Sequence, residues 1–247
     1  MAFGGGSSGA TSTWHSPSSS TAALGDFGST TSSNWSGYTA IGATFSDVIG
    51  SWTQPAVPCS GPVQYASFWV GMDGYQTGDK TQVEQVGTDS DCLKVKVKGK
   101  GGRKLTPVYF GWWEMFPGPV VKLPASSCPV QAGDAMTAEV SASAGQFTFT
   151  LSDLTQGWKC ASDPQPSSAP AASAEWIVEA PFSLTSGRVL KLADFGSVGF
   201  GGARANGTAI SALSNDSITM QVKRTVKASP SALGPDGSSF TVTWQHG

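Results

Sequence analysis

Histidine is almost missing from this chain, with 2 in 247 residues, His15 and His246, one near each end. That scarcity removes most of hydrolytic enzymology. A Ser-His-Asp triad or a Cys-His dyad needs an imidazole held rigidly inside the fold, and neither terminal position is suited to supply one. Catalytic zinc sites usually draw on two or three histidines, so neither a metal site nor a cofactor is expected. Charge is scarce as well: 13% of residues are charged, about half the usual share. The four cysteines, Cys59, Cys92, Cys128 and Cys160, are too far apart for a CxxC metal or redox motif. No run approaches the roughly 18 apolar residues of a membrane span. Chemistry here must run on carboxylates, amides and hydroxyls.

What is abundant points to β structure. The chain has 31 Gly and 15 Pro, and 39% hydrophobic residues including 9 Trp and 12 Phe. That is enough for one large core, and this length suits a single all-β domain. Net charge is −2, but Lys94, Lys96, Lys98, Lys100, Arg103 and Lys104 hold six of the 15 basic residues, leaving nine against 17 acids. The acidic body argues against nucleic acid and anionic membranes as partners. An even cysteine count in a weakly charged, Ser/Thr/Gly-rich chain suits an oxidising compartment, so a secreted monomer with two disulfides is expected, in one of three connectivities.

Residues 1–33 contain 21 Gly, Ser or Thr and read as a flexible lead-in, of the kind a propeptide could leave. Residues 34–247 read as the folded domain. Strand-like runs follow at short intervals: 35–41, 48–53, 65–72, 82–87, 93–98, 107–116, 135–143, 146–151, 174–178, 218–222 and 240–244. Turn residues separate them and no long segment has a 3.6-residue period, which predicts a sandwich or barrel. The alternating run Lys94–Lys98, ended by Gly99-Lys100-Gly101-Gly102, predicts an amphipathic hairpin whose lysines discourage edge pairing.

Strand parity locates the candidate chemistry. From Ser67 to Asp73, Phe68, Val70 and Met72 fall on one face, while Ser67, Trp69, Gly71 and Asp73 fall on the other. Trp113 and Met115 oppose Trp112, Glu114 and Phe116. Trp176 and Val178 oppose Glu175, Ile177 and Glu179. Three strands thus set carboxylates beside aromatics on a non-core face, and rings exposed there would mark a ligand surface. Gln82–Gly87 is less tidy, because Glu84 and Gln85 take opposite faces. Three readings fit: a glycosidase with paired carboxylates, an acid peptidase using a carboxylate and an amide, and a non-catalytic carbohydrate-binding module.

Six ordered blocks narrow the choice: Asn34-Trp35-Ser36-Gly37, Trp52-Thr53-Gln54-Pro55, Phe68-Trp69-Val70-Gly71-Met72-Asp73-Gly74, Val83-Glu84-Gln85-Val86-Gly87, Trp112-Trp113-Glu114-Met115-Phe116-Pro117 and Ala174-Glu175-Trp176-Ile177-Val178-Glu179. Together they resemble the glutamic peptidases, or eqolisins, well over 34–182 and weakly beyond. The resemblance implies a two-sheet antiparallel β-sandwich, jelly-roll or concanavalin-like, whose concave face binds an extended polypeptide. It implies a catalytic dyad of Gln85 and Glu179, with Glu175 the competing assignment because it points the same way. Trp69, Asp73 and Glu114 map onto supporting positions, with Ser67, Asp89 and Trp112 beside them. Asp89 stands where the family has an acid.

The same resemblance implies an endopeptidase acting at acid pH, in which Glu179 and Gln85 hold a water that attacks the scissile carbonyl. A free Glu titrates near 4.3, which would leave Glu179 ionised in mild acid. The lysine hairpin looks like an insertion relative to fungal members, and a pI near 5.6 speaks against a very low pH optimum. Cysteine positions also differ from the family's, and the pairing expected here is Cys59 with Cys92 and Cys128 with Cys160. Asn34, Asn206 and Asn215 begin N-x-S/T sequons; Asn34 lies at a strand, which disfavours a glycan.

Overall fold

The computed structural model describes residues 27–75, 82–97 and 102–247. Two β layers pack face to face. Along the first run β1 (Phe27–Ser32), β2 (Trp35–Ile41), β4 (Ser67–Met72), β5 (Val83–Lys96), β6 (Arg103–Phe116), β7 (Val121–Lys122), β12 (Ser173–Glu179) and β17 (Ser214–Val222). Their order is β7-β6-β5-β4-β12-β2-β17-β1, antiparallel except for β1 on β17. The second layer is built on β3 (Asp47–Thr53), β8 (Ala135–Ser143), β9 (Gln146–Asp153), β15 (Ser197–Ala205) and β19 (Phe240–Trp244). Short pieces complete it: β10 (Trp158–Ala161) and β11 (Gln165–Pro166) on β9, and β16 (Thr208–Ala209) on β15. β13 (Phe182–Ser183) and β14 (Arg188–Val189) form a separate small hairpin. β18 (Thr225–Pro230) pairs with both β17 and β19 and joins the layers along one side.

The alternation read from the sequence explains the packing. Tyr38, Phe68, Val70, Met72, Val86, Trp176 and Val178 of the first layer meet Trp52, Met136, Val140, Phe149, Leu151, Phe200 and Val242 of the second in one continuous core. The opposite face of the first layer carries a smaller cluster, Trp35, Trp69, Tyr75, Val83, Trp112, Ile177 and Ile218. This corrects one expectation: Trp69 and Trp112 are not exposed rings, at 0% and 5% accessibility. Concavity and neighbouring indoles close over them.

The remaining differences concern segments of weak apolar pattern. Residues 27–32, inside the stretch read as a lead-in, form β1, which pairs residue by residue from Phe27↔Asn215 to Ser32↔Met220. Backbone pairing needs no apolar period. β15 and β18 were not foreseen either; β15 holds Gly199, Gly201 and Gly202, which interrupt its alternation. The runs at 82–87 and 93–98 merge into the single strand β5, and Lys98 and Lys100 lie outside the described residues. Lys94, Val95 and Lys96 are all exposed, so Val95 is not packed as the alternation predicts, while Leu105 on the paired strand is partly buried against the core. The hairpin runs beyond β4, which pairs with β5 only over Glu84–Asp89.

Both expected disulfides are present. Cys59–Cys92 ties the segment before β4 to β5, and Cys128–Cys160 ties the loop after β7 to β10, with separations of 33 and 32 residues. Loops of that size give a chain-entropy stabilisation of roughly 3 to 4 kcal/mol each. Cys128→Ser/Cys160→Ser should therefore unfold at markedly lower denaturant; an unchanged midpoint in urea would contradict this.

Candidate active site

Three rows of side chains cross the open face of the first layer. Register places Glu114, Gln85, Gly71, Glu175 and Thr39 in one row, and Trp112, Gly87, Trp69, Ile177 and Gly37 in the next. Phe110, Asp89, Ser67, Glu179 and Trp35 form the third. The strands bring Gln85 and Glu179 to one face from opposite sides of β4.

Trp69 links them. Its indole Nε1 donates to Glu179 Oε2 at 3.0 Å, while the far edge of the ring lies over Gly71, where an added Cβ would sit 2.9 Å from Trp69 Cζ3 and 3.2 Å from Gln85 Cβ. Only glycine at 71 leaves the indole room to lie flat between the two side chains. Trp35 meets Trp69 edge-on, with centroids 5.0 Å apart, so the bridge is clamped. Gly71→Ala should fold yet push the indole off Glu179 and cut kcat about tenfold or more, since small misplacements of catalytic groups are costly; full activity in a peptide assay would count against the bridge.

Each member of the pair is fixed by further partners. Gln85 is buried, and its Nε2 donates to Glu114 Oε2 at 2.7 Å. Its Oε1 has no partner among the described residues. Glu179 is half-buried, and its Oε1 accepts from Asn34 Nδ2 at 2.9 Å. Burial raises the Glu179 carboxyl to about 8, with the Glu114 charge pushing the same way and donors from Trp69, Trp35 and Asn34 opposing. Glu114 is raised to about 7, chiefly by burial. Both carboxyls therefore keep their protons above the pH at which a free Glu would lose its own. This revises the expectation that Glu179 titrates near 4.3.

The other expected residues divide into two groups. Asp89 lies in the same row as Glu179: its Oδ1 accepts from Trp112 Nε1 at 2.7 Å, Ser67 bonds it across the strands, and burial raises it to about 6. Asp73 and Glu175 belong elsewhere. Asp73 has a left-handed backbone, φ 67°, which ends β4 and breaks the parity that put it on this face. Its oxygens accept from the backbone N–H groups of Ala171 and Ala172, both at 2.8 Å, pinning the loop ahead of β12. Glu175 shares the face of Glu179, but it is fully buried and accepts from Thr39 Oγ1 at 3.3 Å. Glu84, on the core side, accepts from Ser167 Oγ at 3.2 Å and completes this second carboxyl group.

Three participants had no assigned role in the sequence: Asn34 and Trp35 at Glu179, and Asp91 beyond Asp89. Asn34-Trp35 stands in the first quoted block, which was the available signal. Asp91 is raised to about 9 by burial and then by Asp89, and nothing in its local pattern distinguishes it.

Comparison with known proteins decides the class. A model of the peptidase A4 family matches residues 33–244. The chain belongs to the peptidase A4 family. It is a glutamic endopeptidase, so the glycosidase and carbohydrate-module readings give way. Aspergillopepsin-2 of Aspergillus niger is 29% identical over 246 residues, covering 86% of this chain and 78% of that protein. The structure of scytalido-glutamic peptidase with a transition state analog inhibitor superposes with a TM-score of 0.70 at 22% identity, over 86% of this chain and 98% of that one. SCP-B, an eqolisin solved with the tripeptide Ala-Ile-His, gives 0.65 at 21% identity with the same coverages. These A4 peptidases share the β-sandwich.

Proposed function

We propose that this A4 peptidase is a secreted, acid-acting, monomeric enzyme that cleaves extended polypeptides with Gln85 and Glu179. The observation that carries the reading is Trp69, whose indole holds Glu179 at one end and at the other reaches over Gly71, the residue paired with Gln85. Two disulfides suit an oxidising exterior, and no helix among the described residues is long and apolar enough to cross a membrane.

A water held between Glu179 and the free Oε1 of Gln85 attacks the scissile carbonyl carbon and passes its proton to Glu179. The Nε2 hydrogen of Gln85 not given to Glu114 donates to the oxyanion. Glu179 then returns the proton to the amide nitrogen, the C–N bond breaks, and a carboxylic acid and an amine leave with no covalent intermediate. Glu114 orients the Gln85 amide through its bond to Nε2.

Digestion of a denatured protein from pH 2 to 8 tests this reading. Peptides with new amino termini, and no reducing ends from β-glucan or xylan, are expected; reducing ends without new amino termini would contradict it.

A further inference from the structure

We propose that Asn34 is a positioning residue for Glu179 and that Ser32, the last residue of β1, sets its orientation, so that the N-terminal strand belongs to the peptidase machinery. This rests on the Glu179 reading above. Asn34 Nδ2 donates to Glu179 Oε1 at 2.9 Å, while Trp69 takes Oε2; the carboxyl is thus gripped at both oxygens and cannot rotate. An asparagine amide has two ends, and the wrong one would set a carbonyl oxygen against the carboxylate. Ser32 resolves the ambiguity. Its Oγ accepts from the backbone N–H of Asn34 at 3.3 Å and of Trp35 at 3.1 Å, which directs its own hydrogen to Asn34 Oδ1 at 3.2 Å. With Oδ1 so occupied, Nδ2 faces Glu179.

The relay has a firm base. Ser32 is 5% exposed and is aligned with Met220 in the β1–β17 ladder. The Asn34 carbonyl accepts from Ala180 N–H at 2.8 Å, and Trp35 lies opposite Glu179, so both sides of the Asn34–Glu179 bond are held by backbone pairing. The same geometry removes Asn34 as a glycan acceptor, since its amide nitrogen is committed to the site.

Chemically, an N–H donor on Oε1 favours the ionised carboxyl and fixes the lone pair that receives the proton of water. Asn34→Ala should lower kcat about 10- to 100-fold with KM within about twofold, and should raise the acid limb of the kcat profile by half a pH unit or more. Asn34→Asp has the same shape but sets a second carboxyl against Glu179; it should be no more active than Asn34→Ala above pH 5. Ser32→Ala should lose about three- to tenfold with the same change in profile, and Ser32→Thr, which keeps the hydroxyl, should restore wild-type behaviour. Thermal unfolding and circular dichroism on each variant check that the fold is kept.

The experiment is a kcat and KM profile from pH 2 to 8 on one peptide for these variants alongside Glu179→Gln. Folded Asn34→Ala and Asn34→Asp with the wild-type kcat and profile, while Glu179→Gln is inactive, would overturn this inference alone. Wild-type behaviour in Ser32→Ala would overturn the relay. Activity in Glu179→Gln would overturn the underlying reading.

Discussion

Replacing Gln85 by Ala is expected to lower kcat at least about 100-fold, the usual cost of removing an oxyanion donor, with a much smaller effect on KM. The oxyanion exists only after water has attacked, so the amide's contribution is realised in the transition state and not in substrate binding. Stability should suffer little: the Gln85 side chain donates to Glu114, and one such hydrogen bond is worth about 1 kcal/mol. Steady-state kinetics on a quenched peptide together with a denaturation curve separate the two effects. A kcat within about threefold of wild type would show that another group holds the oxyanion.

The second large effect is on stability against pH. Glu84 is raised from 4.5 to about 7, by burial first and Asp73 second, and Glu175 beside it is raised well above the ordinary value by burial. A carboxyl whose folded value lies above its unfolded value stabilises the fold while protonated, so its benefit is complete below about 4.5 and is lost as pH rises to about 7. For Glu84 alone the change is on the order of 3 kcal/mol. The group lies where Asp73 holds Ala171 and Ala172 and Glu84 holds Ser167, so ionisation should loosen the loop before β12. Thermal unfolding should occur highest in acid and fall steadily between pH 5 and 8. Glu84→Gln, which keeps an acceptor for Ser167, should match wild type at pH 4 and exceed it at pH 8. Equal losses in both proteins would place the pH sensitivity elsewhere.

Much of this was legible in the sequence because strand parity is a strict rule. Trp69, Glu114, Glu175 and Glu179 lie on the face that alternation assigned them, and Phe68, Val70 and Trp176 lie on the other. The rule failed where the backbone leaves the strand conformation: Asp73 follows the same count, but its left-handed φ turns its carboxylate onto Ala171 and Ala172. It also failed for what lies above a face. Alternation says that Trp69 and Trp112 point away from the core, and only the packed sheet shows that neighbouring rings bury them. Glu84 looked like a strand irregularity and proved to be a buried carboxyl held by Ser167, a residue 83 positions away. The β1 strand carries no apolar signal because its role is backbone pairing and a single hydroxyl.

Electrostatics was the least legible part. A Glu in isolation titrates in acid; neighbouring acids such as Glu114 and Asp73 are a reason to expect a raised value at 179, but the sequence does not show how deeply that carboxyl is buried. The reason is spatial: Glu114 comes from a strand three places across the sheet and is close enough for its charge to raise the Glu179 carboxyl. Scarcity of histidine thus leaves the enzyme without an imidazole, but not without a group that holds a proton near neutrality.

The most direct test compares wild type, Glu175→Gln and Glu179→Gln for cleavage of one denatured protein between pH 2 and 8. Wild type and folded Glu175→Gln should both release peptides, and Glu179→Gln, with its fold intact, should release none. Cleavage by Glu179→Gln together with its loss in Glu175→Gln would move the catalytic carboxyl four residues along β12 and contradict the account.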